Sequence, residues 1–358
     1  MGGYVFAGNK TIGSYVDRML EPLGWVREDA PEDADAIITY FSTGGELEDA
    51  YFDTDGFVKR AAPRTLLIDL SPTTPGFARE LAAVALVNDL RPIECPLVVL
   101  DTSLPDAFES SENIASFVAG EEDDIAAAQE VLEALVGNAQ AVGASGEAQL
   151  ARCALTAQVA AQTVAAIEAD ALYRAVASDA TMPDVGAGRS GAASPYAAQV
   201  LSAVDEQRFR GTYTIEMMMG EVLAAMATAD EHELILPQLE SAARILELLA
   251  VIGGAEMSPA GLALLYRGEE DVEAAGLDWS RAQDYYATDS DDYSDASDGE
   301  SSMAFESLFS GNGTLDFDDD FGDYGDDDFD EFDDFDEPRE DGDRFGDYLG
   351  GFGGYSAN

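Results

Sequence analysis

The sequence predicts an α/β chain: a doubly wound parallel sheet, then an all-helical region, then an acidic tail without fixed structure. Three observations lead there. From Gly3 to about Val142 short apolar runs alternate with helical patterns, as strand–helix–strand units require. From Gly146 to Tyr286 the apolar spacing is helical throughout. Beyond Asp289 aliphatic residues nearly vanish among Asp, Gly and Ser.

Taken in order, Tyr4-Val5-Phe6-Ala7 reads as a strand and Ile12 to Leu23 as the helix after it. Ala36 to Phe41 and Thr65 to Leu70 repeat the pattern, each followed by a helix, at Leu47 to Arg60 and Gly76 to Val87. Pro96 to Leu100 and Ala115 to Val118 are two more strands, with a helix over Asp124 to Val136. A long Ala-rich helix is predicted from about Glu147 to Ser178, then a Gly- and Pro-containing loop ending near Pro195. Helices near Tyr213 to Ala229 and Ile235 to Ile252 complete the region, with Pro237 in a first turn where its missing N–H costs nothing. Met217, Met218 and Met219 are expected in the core rather than on a soft binding surface. The expected boundaries are 1–143, 144–286 and 287–358.

At 358 residues the chain exceeds what one core serves, since single cores stop growing near about 250 to 300 residues. The net charge is −54, from 72 acidic against 18 basic residues, and the only lysines are Lys10 and Lys59. Binding nucleic acid means neutralising phosphates with cations, so nucleic acid is not an expected partner, and neither is an anionic membrane. Met1 to Gly8 does not have the form of a signal peptide. The apolar segment from Leu150 is interrupted by Gln158, Gln162, Glu168 and Asp170, so no spanning helix is expected. These features predict a soluble, cytoplasmic protein. Cys95 and Cys153 have no CxxC spacing, and His232 is the only histidine; two reduced thiols and no metal site are expected.

The ordered series Asp33-Ala34-Asp35-Ala36-Ile37-Ile38-Thr39, Leu67-Ile68-Asp69-Leu70-Ser71-Pro72-Thr73-Thr74 with Ala78-Arg79-Glu80-Leu81, Phe209 to Met226, Ile235-Leu236-Pro237 and Gly276-Leu277-Asp278-Trp279-Ser280 resembles the β-hydroxyacid dehydrogenases. This is the family of 3-hydroxyisobutyrate dehydrogenase and, more distantly, 6-phosphogluconate dehydrogenase. The resemblance covers about Tyr4 to Tyr286 and implies a Rossmann sheet with NAD or NADP, a helical second domain, and hydride transfer assisted by a lysine acid/base. On that resemblance Ala36 to Phe41 corresponds to the third Rossmann strand, and Gly8, Asn9, Lys10, Gly13, Tyr40, Ser42 and Ser71 are the candidate cofactor contacts.

Several family positions have changed. The phosphate turn reads Gly8-Asn9-Lys10-Thr11-Ile12-Gly13, with Lys10 where the middle glycine lets backbone approach a pyrophosphate. Between Leu23 and Ala36 there is no room for a strand, helix and strand, so the acidic residue that holds the adenosine ribose loses its scaffold and the Tyr4 strand is expected at the sheet edge. Glu94-Cys95-Pro96-Leu97-Val98-Val99-Leu100 replaces the family's small, polar carboxylate site. Counting from Ala144 and Gly146 puts the catalytic lysine at Leu150, and a second family lysine at Gly220. Leucine transfers no proton, and Arg152 lies on another face of the helix.

No catalytic residue is therefore assigned. The expected function is a non-catalytic dehydrogenase homologue serving as a binding or scaffold module, its old cleft packed by Leu150, Val98 and Val99; the alternative is an NAD(P)-dependent oxidoreductase of altered mechanism on a small hydroxy acid. Ala157, Ala160, Ala161, Ala165 and Ala169 form a small-residue stripe that predicts a homodimer through the helical region. The tail intersperses aromatics such as Phe317, Phe321, Phe329, Phe335 and Tyr348 among carboxylates, which suits recognition of a basic protein partner.

Overall fold

A computed structural model describes residues 2–177, 194–283 and 285. The predicted tail and the loop before Pro195 lie outside the described residues. Strand β1 (Gly3–Gly8) leads into α1 (Lys10–Leu20), β2 (Val26–Arg27) and β3 (Ala36–Tyr40). Then come α2 (Gly44–Phe52), α3 (Phe57–Arg60), β4 (Leu66–Asp69), α4 (Pro75–Val87) and β5 (Arg91–Glu94). Strands β6 (Leu97–Val99) and β7 (Ile114–Gly120), helix α5 (Glu122–Leu135) and strand β8 (Asn138–Gly143) complete the sheet.

The sheet runs β2-β1-β3-β4-β5-β7-β6, with β8 also on β7. Strands β2, β1, β3, β4 and β5 are parallel, β7 runs against β5 and β6, and β8 is parallel to β7. Side chains alternate between faces along each strand. Tyr4, Phe6, Ile38, Leu66 and Ile68 enter one core with α1 and α5, whereas Val5, Ile37 and Leu67 enter another with Leu47, Val58 and Leu81 from the helices between β3 and β5. Helices thus cover both faces, which is why these strands read as nearly unbroken apolar runs.

Two expectations about the sheet need correction. The Tyr4 strand is not the edge: β2 pairs with its first half through Gly3↔Val26 and Tyr4↔Arg27. The strand at Ala36–Tyr40 lies on the opposite side of β1, where a Rossmann order of 3-2-1-4-5-6 puts its fourth strand, not its third. The family's outer strand and its helix are therefore the missing pieces.

After the sheet comes α6 (Glu147–Ala177), 31 residues long, then α7 (Pro195–Asp205), α8 (Ile215–Asp230), α9 (Pro237–Leu249) and α10 (Glu269–Ala274). Helix α6 packs against α7, α8, α9 and the 3₁₀ segment Pro259–Tyr266, and its first part meets β7 and β8. Contrary to the sequence expectation, α6 is long and apolar enough to qualify as a membrane span by length and composition. Its Ala160, Val164 and Ile167 are instead buried in the core with Val200, Val222 and Leu246. Met217, Met218 and Met219 are buried, as filler for that core.

Candidate functional site

The turn after β1 keeps its backbone and loses its vacancy. Gly8 has φ +114°, and a Cβ there would come within 1.9 Å of the Tyr40 carbonyl oxygen, so only glycine fits. A Cβ on Gly13 would meet the Phe6 ring at 2.9 Å, which is the helix–strand contact that the third glycine of such a motif serves. The N-terminus of α1 is capped by Asn9. The Asn9 side-chain oxygen accepts from Thr11 N at 2.9 Å and Ile12 N at 3.3 Å. These N–H groups are the donors a phosphate would need. Lys10, at the middle-glycine position, is exposed.

The adenosine side is cut short. Strand β2 ends level with Tyr4, while the turn begins at Gly8, about 13 Å farther along β1 at 3.3 Å per residue. An acidic residue at the end of β2 therefore stops well below the turn. Arg27 bends onto α1 and pairs with Asp17 at 2.7 Å. Asp17 also accepts from the Tyr4 hydroxyl at 2.7 Å.

At the carboxyl ends of the parallel strands, where open α/β sheets place their ligands, a polar row is buried. Thr39, Asp69 and Glu94 are register neighbours across β3, β4 and β5. The Thr39 hydroxyl donates to Asp69 at 2.9 Å and lies 2.8 Å from the Tyr51 hydroxyl; Ser71 N donates to the same Asp69 oxygen at 3.0 Å. Burial pushes the Asp69 carboxyl up to about 6, against the hydrogen bonds from Ser71 and Thr39. Glu94 is pushed up to about 7, chiefly by burial, while backbone donors from Gly146 and Gln149 act against it and the Asp69 charge adds to it. Glu94 thus caps the start of α6 from the sheet. Gln149 fastens the same end to the next loop: its amide donates to Ser71 O at 2.9 Å and its oxygen accepts from Thr73 N at 3.1 Å.

The structure brings Gly8, Asn9, Tyr40, Ser42 and Ser71 to one end of the sheet. Asn9 N donates to Tyr40 O at 2.8 Å, and Phe41 N donates to the Ser71 hydroxyl at 3.0 Å. Ser42, however, is covered. A Cβ on Gly220 of α8 would lie 2.1 Å from the Ser42 carbonyl oxygen, so the helix backbone rests on the Ser42 backbone with no space for a side chain.

Beside that contact, Arg152 of α6 pairs with Glu221 of α8, and both are buried. Glu221 also accepts from the Tyr213 hydroxyl at 2.9 Å, and Arg152 donates to Leu97 O at 2.9 Å and to Thr156. Burial lifts the Glu221 carboxyl above its ordinary range, with the Arg152 charge and the Tyr213 hydroxyl pulling it back. Val98 and Val99 are buried, as expected, but Leu150 is 53% exposed and does not pack the cleft. Helical geometry explains the difference: at about 100° per residue, Gln149, Arg152 and Cys153 face inward and Leu150 turns out. Cys95 and Cys153 are buried thiols.

Sequence reasoning missed Asp69, Glu94, Gln149 and the Arg152–Glu221 pair as one assembly. The available signal was two carboxylates, Asp69 and Glu94, each closing a strand that is otherwise inward-facing. The capped α1 N-terminus, the short β2 and the Gly220–Ser42 contact all lie on the side of the sheet where the turn after β1 opens.

No family model and no curated protein matches the chain. Solved structures do. A 3-hydroxyisobutyrate dehydrogenase of Mycobacterium tuberculosis, with L-serine, matches at a TM-score of 0.61 and 22% identity over 75% of this chain and 100% of that one. A 3-hydroxyisobutyrate dehydrogenase from Salmonella typhimurium matches at 0.58 and 14% identity, over 74% and 100%. Psf3 in complex with NADP+ and 2-OPP matches at 0.61 and 15% identity, again over 74% and 100%. This chain has the fold of the 3-hydroxyisobutyrate dehydrogenases, with the outer edge of its Rossmann-type sheet reduced to two residues.

Proposed function

We propose that this protein is a non-catalytic homologue of the hydroxyacid dehydrogenases, a cytoplasmic binding or scaffold module. The observation that carries the reading is the closed contact of Gly220 with Ser42, on the path a nicotinamide cofactor takes in the resembled family. Leu150 at the lysine position supports it, since a positioned acid/base is worth about 10² to 10⁴ in rate. The buried Arg152–Glu221 pair supports it further, because it joins α6 to α8 where a substrate would need room.

The test is ligand-dependent stability. Any ligand that prefers the native state raises the melting temperature, by about 2.7 kcal/mol of stabilisation at a hundredfold excess over its dissociation constant. Neither NAD(H) nor NADP(H) at millimolar concentration is expected to shift the transition, and 3-hydroxyisobutyrate and L-serine are expected to give no turnover at neutral or alkaline pH. A cofactor-dependent shift with turnover would establish the second reading, an oxidoreductase of altered mechanism, which the preserved geometry of Gly8 and Gly13 favours.

The segment 289–358 lies outside the described residues, and to it we assign the binding of a basic protein partner through its aromatics and carboxylates. Pull-downs with the full chain and with a chain ending at 288 should differ in a salt-sensitive partner. Equal recovery from both, unchanged by Phe-to-Ser substitutions, removes this assignment.

A further inference from the structure

The sheet ends in three strands, β2, β6 and β8, and they are protected unequally. Strand β2 is two residues long, and the Arg27 guanidinium turns from it onto Phe6 O at 3.4 Å. Strand β6 is buried; its Leu97 N–H donates to Leu70 O at 3.2 Å and its Leu97 O accepts from Arg152 at 2.9 Å. Strand β8 runs for 6 residues, pairs with β7 along one side, and has no backbone partner on the other among the described residues. Asn138, Ala139, Gln140 and Ala141 are all exposed. Since successive side chains point to opposite faces, neither face of the strand is covered.

Edge strands are normally blunted by short length, charge or proline, because their free N–H and C=O groups invite pairing with another chain. Strand β8 has none of these guards. In a chain with 72 acidic residues, no charged residue occurs between Glu133 and Glu147. Carboxylates stand at the two ends of the strand instead. Glu112 flanks its start, with Cα 3.0 Å from where a Cβ on Gly137 would lie, and the Glu147 carboxylate covers Gly143 at its end. Both are exposed, and neither side chain has a hydrogen bond or ion pair among the described residues. Arg79 lies against Gly146, where its charge acts on Glu94.

We propose that β8 is a strand-acceptor edge, on which an extended, basic segment of another protein adds as the next strand of the sheet. In this mode main-chain hydrogen bonds supply the attachment and alternate side chains supply the choice. The small side chains of Ala139 and Ala141 favour β-branched or aromatic residues opposite them, which fill the space an alanine leaves. From Gly137 to Gly143 an extended chain advances about 20 Å, so a segment that meets both Glu112 and Glu147 carries its cations about six residues apart. A second copy of this chain does not suit the edge. Laid edge to edge, its β8 would set alanines against alanines and bring the same carboxylates together. An acidic segment meets the same repulsion. Neither the state of the cleft nor the role of residues 289–358 enters into this assignment.

The probe is a short peptide in which threonine and valine alternate between terminal lysines, added to the full chain at physiological ionic strength. The readout is hydrogen exchange of the segment 137–143, because carboxylates elsewhere attract the peptide without protecting this strand. Saturating peptide should slow the fast amides of the segment about tenfold, while the same peptide with terminal glutamates, or with a central proline, should not. Glu112→Gln with Glu147→Gln should raise the peptide concentration at half protection about fivefold, whereas Glu269→Gln with Glu270→Gln, exposed on α10, should leave it within about twofold. Ala139→Lys, at an exposed position, should keep the melting temperature and lose the protection. Absence of protection up to millimolar peptide, or binding that leaves 137–143 unprotected, overturns the proposal. Equal protection by the glutamate peptide overturns the basic partner, since the edge is then indifferent to charge. Protection that grows with protein concentration in the absence of peptide gives the edge to a second copy and overturns it as well.

Discussion

The turn after β1 and the junction of α6 with α8 are held closed in different ways. At the turn the backbone is kept and one side chain fills it: Gly8 and Gly13 still meet Tyr40 and Phe6 closely, and Asn9 takes the helix donors. At the junction a buried ion pair joins α6 to α8, and the α8 backbone rests on Ser42 at Gly220. Glycines that let elements touch are bound to the fold and cannot be changed without clash.

The largest effect is expected at the junction. Glu221→Ala leaves Arg152 buried without its counter-charge, which typically costs about 3–5 kcal/mol. Urea unfolding should show this loss. The double variant Arg152→Met with Glu221→Leu should recover much of it, because removing both charges removes the desolvation cost along with the attraction. If the double variant is as unstable as the sum of its singles, the pair is not the unit that joins α6 to α8.

Gly220→Ala follows. Alanine in an exposed helix interior gains about 1 kcal/mol over glycine, but here its Cβ would stand 2.1 Å from Ser42 O, and backbone overpacking typically costs about 1–3 kcal/mol. A net loss on unfolding is therefore expected. A net gain would mean that the α8 backbone does not rest on Ser42, and would remove the observation on which the closed cleft depends.

The architecture was legible where burial wrote it into the sequence. Strands β3 and β4 are apolar on both faces, and α6 is a single long period, so both the sheet and the helical region followed from composition. Three strands escaped for physical reasons. Strand β2 is two residues long; β5 reads Arg91-Pro92-Ile93-Glu94, with proline inside it; and β8 is an exposed edge of small and polar residues. Leucine at position 150, where the resemblance implies a lysine, was visible by counting, but the buried Arg152–Glu221 pair was not. Arg152 and Glu221 are 69 positions apart by their residue numbers, and only tertiary packing brings α6 and α8 together. Leu150 was misplaced because its neighbours Gln149 and Arg152 hold the inward face.

The polar row at the strand ends separates the two halves of the comparison by pH. Asp69 ordinarily titrates near 3.8 and is held at about 6; Glu94 ordinarily titrates near 4.5 and is held at about 7. The folded state therefore keeps protons that the unfolded chain has released. Their stabilisation is fully present below the unfolded values and is lost as pH rises through the folded ones, a change on the order of several kcal/mol between about pH 4 and pH 7.5. Urea midpoints should fall across that window, and Asp69→Asn should flatten the fall. An unchanged slope in the variant would assign the pH dependence to the surface carboxylates.

The smallest change concerns the turn alone. Replacing an asparagine cap by glycine typically costs only a few tenths of a kcal/mol, so Asn9→Gly should fold normally. It frees Thr11 N and Ile12 N, the donors that a pyrophosphate would take. If the occupied turn were the sole obstacle, this variant would acquire a melting-temperature rise with NAD(H) or NADP(H) that the parent lacks. No such rise is expected, because Gly220 still rests on Ser42 and β2 still ends level with Tyr4, far short of the turn. A nucleotide-dependent shift in Asn9→Gly would put the block at the turn and leave the junction open. Inorganic pyrophosphate, which needs the turn and not the cleft, should stabilise the variant more than the parent.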